Sequence, residues 1–219
     1  MKKAVIMAGV IAVCFLQLAA SLDWTSFPDP IQKGSFMISP SFSPGSCLTG
    51  GSIVTDLRFL SLNGNVSVDY ALPIGLPLII GFETGYLWSN TTIKHSYDEY
   101  DGVYLSYVPF VLHLAWHPNL QVKGIDAYIV GKAGFGLAFW SGNNTISSNG
   151  LFEMKNGYGH ILGIDIGCRY FFNERIGLYL EAGYDRYYFF YEKSYSSGVK
   201  DDRIGYFDKF GTVGFTVLF

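Results

Sequence analysis

The sequence has few of the features that mark several common protein classes. Only 15% of its 219 residues are charged, and acidic residues outnumber basic ones by 18 to 15, which argues against a nucleic-acid partner. Its three cysteines show neither a CxxC pair nor a Cys/His spacing typical of a metal site. Beyond residue 20 there is no uninterrupted apolar run near the roughly 18 residues that predict a membrane-spanning helix. We therefore expect no metal, no cofactor and no helical membrane span in the mature chain.

Apolar and small residues are nevertheless abundant. Hydrophobic residues make up 49% of the chain and aromatic residues 17%, and there are 26 glycines. A chain of this composition without a membrane-spanning helix has one other way to satisfy its backbone hydrogen bonds in lipid, which is a closed β-barrel. The composition therefore favours an all-β membrane protein.

The N-terminus has the pattern of an export signal. Two lysines precede an uncharged run over residues 4–15, and small residues follow at 19–21. This pattern predicts a secretory signal peptide over residues 1–20. An uncleaved anchor and a lipoprotein site at Cys14 are the alternatives. Cleavage removes two of the 15 basic residues and none of the 18 acidic ones, so the mature chain is more acidic still.

The last ten residues alternate between two kinds of side chain. One face carries Val213, Phe215, Val217 and Phe219, and the other carries Thr212, Gly214 and Thr216. Strict alternation predicts a strand with a different environment on each face. Ending a chain on an apolar strand face beside the terminal carboxylate is unusual in a soluble domain and typical of an outer-membrane barrel.

Seven further segments show the same alternation. The eight predicted strands cover residues 34–42, 65–72, 78–88, 103–116, 125–140, 159–171, 176–190 and 210–219. Short turns over 73–77, 117–124 and 172–175 alternate with long polar loops over 43–64, 89–102, 141–158 and 191–205. Short periplasmic turns, long outer loops and an even strand number are typical of transmembrane barrels. We therefore predict an eight-stranded antiparallel up-and-down transmembrane β-barrel over residues 34–219, after a periplasmic lead-in over residues 21–33.

The composition of the two strand faces predicts which face is inside. The bulky face suits lipid, whereas the other face consists of glycine and isolated charges, and a Lys or Arg at the lipid midplane would cost about 2–4 kcal/mol. The predicted lumenal polar network comprises Asp69, Glu83, His113, Lys132, Asp165, Arg169, Glu181 and Asp185. Buried charges need partners, so we expect Lys132 to pair with Asp165 and Arg169 with Glu181. The alternative is that these charges face small water pockets unpaired.

At this point the chain resembles the eight-stranded outer-membrane barrel family of OmpA/OmpX-like and opacity-type proteins. The resemblance covers residues 34–219 and includes the terminal Phe215-x-Val217-x-Phe219, although the family often has Tyr where Val217 stands. The stretches 69–73 and 176–184 look like those of small spirochaetal outer-membrane barrels. The resemblance implies a place in the bacterial outer membrane. It also implies contact with outer-membrane lipids and assembly by the barrel insertion machinery, which reads Phe215, Val217 and Phe219. It implies no single activity.

Function is less constrained than fold. An eight-stranded interior is just wide enough for side chains, so we expect a structural or surface-interaction role through the outer loops, including a host or surface ligand, rather than a general pore or an enzyme. Aromatic residues near strand ends predict interface girdles or an adhesive rim: Tyr86, Trp88, Tyr97, Tyr100, Trp116, Tyr170, Tyr184, Tyr187, Tyr188, Tyr191 and Tyr195.

Three other functions stay open from the sequence. A narrow pore is one, and a small-ligand carrier of lipocalin type is another, although the glycine and charge face argues against an apolar cavity. The third is a lipid A-modifying enzyme, a deacylase or an acyltransferase. Its candidate residues are His95 with Ser96 and Asp98, or His160 with Ser147 or Ser148. The different surroundings of Cys47 and Cys168 argue against a disulfide between them.

Overall fold

A computed structural model describes residues 26, 28, 30–50, 59–95, 98–120, 122–142, 145–147, 150–154, 156–195, 198 and 200–219. The strands are β1 (Phe36–Gly50), β2 (Phe59–Ala71), β3 (Leu78–His95), β4 (Asp98–Trp116), β5 (Ile125–Gly142), β6 (Thr145–Ser147), β7 (Gly150–Met154), β8 (Gly157–Phe171), β9 (Ile176–Tyr195) and β10 (Lys200–Leu218). Within the described ranges, no helix has the length and apolar character needed to cross a membrane.

Eight of these strands close into an antiparallel barrel. The order around the ring is β1, β2, β3, β4, β5, β8, β9 and β10, and β10 pairs with both β9 and β1. The amide of Phe36 donates to the carbonyl of Phe219 at 3.1 Å, and the amide of Phe219 donates back at 2.8 Å. The predicted eight-stranded antiparallel barrel is confirmed. The short β6–β7 hairpin lies outside the ring and pairs with β9.

The barrel has two unlike ends. At the turn end, β1 starts, β10 stops, and the short connections follow β2, β4 and β8. At the opposite loop end, the strands are longer than predicted. β4 begins at Asp98 rather than 103, β9 continues to Tyr195, and β10 begins at Lys200 rather than 210. The prediction of long loops over 43–64, 89–102 and 191–205 is therefore largely wrong, because polar residues there continue the strand pairing.

The two strand faces are as the alternation predicted. Outward side chains are large, apolar and exposed; Leu112, Ile164 and Ile166 are 62%, 62% and 65% accessible. Inward side chains are buried, and along β8 exposed and buried residues alternate almost without a break. A continuous belt of exposed aliphatic and aromatic residues is rare on soluble monomers and is the surface that lipid requires.

The pairing of β1 with β10 is interrupted at two prolines. The register runs through Ile38–Val217, Ser41–Gly214 and Phe42–Val213, and skips residues 39–40 and 43–44 of β1. Pro40 and Pro44 have no backbone N–H to donate. On the lumen side, the hydroxyls of Ser39 and Thr216 lie 2.9 Å apart, and those of Ser43 and Thr212 lie 3.0 Å apart. Side-chain hydrogen bonds thus supplement the weakened backbone ladder.

The segment before β1 crosses the opening at the turn end. We call this segment, namely residues 30–35 with Ser26 and Pro28, the strap. Ile31 is 3% exposed and belongs to an apolar cluster with residues from seven of the eight barrel strands. Asn119 Nδ2 donates to Ser26 Oγ at 3.1 Å, and the β4–β5 turn that holds Asn119 lies opposite β1 in the ring. The strap therefore spans the mouth from wall to wall.

Candidate functional site in the barrel lumen

Lys132 on β5 is the centre of the charged lumen. Its Nζ donates to Asp165 Oδ2 at 2.5 Å, to Glu181 Oε2 at 2.9 Å and to Asp185 Oδ2 at 3.4 Å. The three carboxylates come from β8 and β9, which follow β5 around the ring. Because strand residues alternate between faces, all four side chains point inward, and the expected pair of Lys132 with Asp165 is present.

A second lysine extends this group across the lumen. Lys209 Nζ lies 2.8 Å from Asp185 Oδ2 and 3.9 Å from Glu83 Oε1. Asn65 Nδ2 donates to the same Glu83 oxygen at 2.8 Å. Lys209 lies just outside the last predicted strand, which begins at residue 210. A bulge in β10 shifts the register between Lys209 and Gly211 and so breaks the alternation there. The predicted residues Glu83 and Asp185 thus share a cation that the sequence did not reveal.

Arg169 belongs to a separate cluster nearer the turn end, so the expected pairing of Arg169 with Glu181 is wrong. Arg169 Nη1 donates to Asp126 Oδ2 at 3.1 Å, because the register sets Asp126 directly opposite Arg169 on the neighbouring strand. Glu181 instead accepts from Tyr128 Oη at 2.9 Å and from Lys132. His117 Nδ1 lies 2.8 Å from Asp126 Oδ1. In this cluster the carboxylate of Asp126 neutralises the buried guanidinium of Arg169.

Aromatic rings complete the surroundings of Arg169. Its Cζ lies 5.2 Å from the ring centroid of Tyr128, 5.7 Å from Tyr179 and 5.9 Å from Phe171. The His117 ring stacks on Tyr128 with centroids 4.8 Å apart. Cation–π contacts of this kind stabilise a desolvated cation. Asp126 and His117 were missed in the sequence, although Asp126 has the inward parity of β5.

The third polar group joins β4 to β2 across a glycine of β3. His113 Nε2 lies 2.6 Å from Asp69 Oδ1, and Ser67 Oγ donates to Asp69 Oδ2 at 3.1 Å. Gly81 lies between them, and a β-carbon there would collide with both the His113 ring and the Asp69 carboxylate. The inward glycines therefore provide the space in which the lumenal charges meet.

Little open space remains among these groups. The cavity between Glu83, His113, Lys132 and Arg169 measures about 20 Å³, which is room for about one water molecule. Among the described residues, no group of three or more His, Cys, Asp or Glu could hold a metal ion. The lumen at this level is a packed polar core, and its chemistry is that of mutual charge neutralisation.

The aromatic residues divide between the two faces. Tyr187 was grouped with the interface aromatics, but it is buried in the lumen, with its ring edge-on to Tyr107 at 5.9 Å. That grouping is wrong for Tyr187, because its odd number on β9 gives it the inward parity of Asp185. Tyr86, Tyr170 and Tyr184 are exposed on the outer face as expected.

An ion pair on the outer face was also missed. Arg186 donates from Nε to Asp208 Oδ1 at 2.8 Å and from Nη2 to Asp208 Oδ2 at 3.0 Å. The rings of Tyr184 and Tyr188 flank the guanidinium, with centroids 5.1 and 5.9 Å from Cζ. Arg186 lies ten residues along β9 from the turn end, a rise of about 25 Å at ~3.4 Å per residue and ~40° tilt. That rise is close to the usual height of an apolar band, so on β9 the pair lies near the upper edge of the belt.

The remaining predicted residues have less to support a reaction. His160 is exposed on the outer face, with its ring 6.0 Å from that of Phe190. Ser96, Ser148 and Tyr97 lie outside the described residues, as do the side chains of His95, Asp98 and Ser147. Phe215 and Phe219 are 56% and 71% exposed on the outer face. Their reading by the insertion machinery stays a prediction. Cys168 is a free cysteine on the same face.

Comparison of the sequence with protein-family models and with curated proteins finds no match. Solved structures with the same architecture do match. Outer membrane protein OprG from Pseudomonas aeruginosa is 13% identical, with a TM-score of 0.58 over 86% of this chain and 97% of that one. A major outer membrane protein from Thermus thermophilus is 14% identical, with a TM-score of 0.52 over 86% of this chain and all of that one. The chain has the fold of an eight-stranded outer-membrane β-barrel.

Proposed function

We propose that this protein is an integral barrel of the bacterial outer membrane that holds a rigid rim of strands above the outer surface for structural or surface-interaction purposes. The observation that carries the proposal is the sharp division of the barrel wall. Along β9 the outward-facing aliphatic residues Ile176, Leu178 and Leu180 give way to the Arg186–Asp208 pair, and β9 and β10 continue beyond it. The turn end then faces the periplasm, where the barrel's short turns belong.

The part of the wall above the belt is long enough to be a platform. From Arg186, β9 runs nine more residues to Tyr195 and stays paired with β10 as far as Lys200–Ser194. At ~3.4 Å per residue and ~40° tilt this adds about 20 Å. Paired strands hold their tips in fixed positions, which lowers the entropy cost of binding a partner. Rigid strand tips thus support a role at the cell surface.

The filled lumen supports a structural wall rather than a general pore. Lys132 and Lys209 are paired with carboxylates from β3, β8 and β9, and the space between Glu83, Lys132 and Glu181 measures about 20 Å³. A hydrated solute would have to separate these buried pairs, each of which costs several kcal/mol to break. We expect the intact barrel to conduct poorly.

One set of measurements on the refolded mature chain tests the proposal. We expect heat-modifiable migration after refolding in detergent, no stepwise conductance in planar bilayers and no change in added lipid A. An epitope inserted at residue 198, in the β9–β10 connection, is expected to be reachable by antibody on intact cells. The same epitope in the turn at residue 174 is the matched control and is expected to be reached only after permeabilisation.

Each contrary result has a defined meaning. A chain that stays folded and soluble without detergent refutes the membrane placement. Stepwise conductance refutes the closed lumen and favours the pore, whereas removal or transfer of an acyl chain on lipid A favours the enzyme. Antibody labelling of the epitope at residue 174 on intact cells would mean that the turn end, rather than the loop end, faces the outside of the cell.

A further inference from the structure

A cavity opens where the strap meets the rim of the turn end. It measures about 800 Å³ and lies between Pro30 of the strap, Lys123 in the β4–β5 turn, and the end of β8 with the turn that follows it. This size falls within the range of small-molecule sites, about 300–1,000 Å³. The cavity is separate from the charged lumen and is open to the outside of the barrel.

One wall of the cavity continues the lipid-facing belt. Tyr170, Phe172 and Ile176 line it and are 52%, 57% and 44% exposed. The rings of Tyr170 and Phe172 meet edge to face at 5.4 Å. Tyr170 and Ile176 lie at outward-facing positions of β8 and β9, and Phe172 directly follows the end of β8. An occupant of the cavity therefore has direct access to the hydrocarbon of the surrounding leaflet.

The cavity lining also includes two cations. Lys123 and Arg175 line the cavity and are exposed, and in the part of the chain that the structure describes neither side chain has an ion-pair partner. Glu174 also lines the cavity, so the lining carries one net positive charge. The turn that presents Arg175 is fixed, because Asn173 Oδ1 accepts from the amides of Arg175 at 2.8 Å and Ile176 at 2.9 Å.

Cationic and apolar side chains line one cavity here, at the height of a membrane interface. We propose that this cavity binds one anionic phospholipid of the inner leaflet, with the headgroup phosphate between Lys123 and Arg175 and an acyl chain along Tyr170, Phe172 and Ile176. Guanidinium and ammonium groups are the usual phosphate partners, and basic pockets beside membrane-embedded walls bind anionic headgroups. The assignment rests on the outer-membrane placement with the turn end in the periplasm.

Native mass spectrometry of the refolded barrel tests this site. The barrel is exchanged into detergent micelles that contain equal amounts of phosphatidylglycerol and phosphatidylethanolamine with the same acyl chains. We expect one retained phosphatidylglycerol per wild-type barrel. Because each basic group near an anionic headgroup contributes about a fivefold preference, Lys123→Gln and Arg175→Gln are each expected to lower retention about fivefold, and the double variant by more than tenfold.

The controls separate the site from general charge and from a free anion. Lys33→Gln removes an exposed cation of the same end that does not line the cavity and is expected to leave retention unchanged. Glycerol phosphate, which lacks acyl chains, is expected to compete poorly. Full competition by glycerol phosphate would assign the site to a soluble phosphate and overturn the lipid proposal.

Two failures are distinguishable. A barrel that folds with heat-modifiable migration but retains both lipids equally, or retains phosphatidylglycerol equally in the double variant, overturns this site alone. A chain that needs no detergent to stay folded and soluble refutes the outer-membrane placement and this site together. Lys123 and Arg175 are exposed turn residues, so their variants are expected to keep wild-type heat modifiability, which confirms that any loss of lipid is local.

Discussion

Replacing Lys132 by Met should destabilise the folded barrel by about 3–5 kcal/mol, the usual cost of removing one partner from a buried ion pair. The structure indicates where this cost arises. Asp185 keeps Lys209 at 2.8 Å and Glu181 keeps the Tyr128 hydroxyl at 2.9 Å. Within the described ranges, Asp165 has no other ion-pair partner. Most of the loss is therefore the penalty of one buried carboxylate without a counter-charge.

The double variant Lys132→Met/Asp165→Asn separates this cause from lost packing. Since the amide carries no charge, the double variant should recover at least half of the lost stability and leave a deficit of about 1–2 kcal/mol for the remaining unsatisfied polar atoms. The measurement is reversible urea unfolding of the refolded barrel in detergent, followed by tryptophan fluorescence. Lys33→Met, at an exposed site, is the control and should change stability by less than about 0.5 kcal/mol.

Two results would refute this account of the lumen. A loss below about 1 kcal/mol for Lys132→Met would mean that water stabilises the lumenal carboxylates as well as the lysine does. A double variant no more stable than the single one would place the energy in packing rather than in the orphaned charge of Asp165.

Three further substitutions test other parts of the structure. Gly81→Ala should lower the free energy of unfolding in urea by about 1–3 kcal/mol, because the added methyl group would overlap the His113–Asp69 pair. Gly131→Ala, whose methyl group would meet nothing within 4 Å, should be neutral. Equal effects of the two substitutions would contradict the account of the inward glycines. Ile31→Asp should expel the strap from the mouth and make it sensitive to protease in the folded barrel, and a strap as resistant as in the wild type would contradict its docking. Phe219→Ala should slow assembly in vesicles that contain the insertion machinery more than it lowers the stability of the prefolded barrel, and equal assembly rates would remove the proposed role of the terminal residue.

The strand faces could be predicted because the period of two is a local property. Each residue of β5 and of β8 takes its face from its neighbours, and the pairing between these two strands has no break in register. Partners across strands depend on an exact register, which the sequence does not contain. The two expected pairs assumed that each connection lies midway between the partners. The observed register differs from that assumption by two residues in both cases, since Lys132 lies opposite Gly163, and Arg169 lies opposite Tyr179.

The same error had different consequences for the two cations. Lys132 has a long flexible side chain and still reaches Asp165 diagonally. Arg169 has a carboxylate directly opposite, Asp126, and pairs with it instead. Asp208 and Lys209 lay beyond prediction for another reason, because the bulge in β10 and its polar extension hide the alternation at the loop end, and Arg186 was therefore left without a visible partner.

The strap has a consequence for the order in which the barrel is completed. The apolar cluster that receives Ile31 draws Met37, Ala71, Ile79, Ala115, Tyr128, Val130, Phe171 and Leu218 from seven strands, so it exists only after the first and last strands have met. The strap directly precedes β1, yet its binding surface depends on Leu218 near the end of the chain. A segment that precedes the first strand is thus among the last to find its place, and its protection from protease reports that the ring has closed.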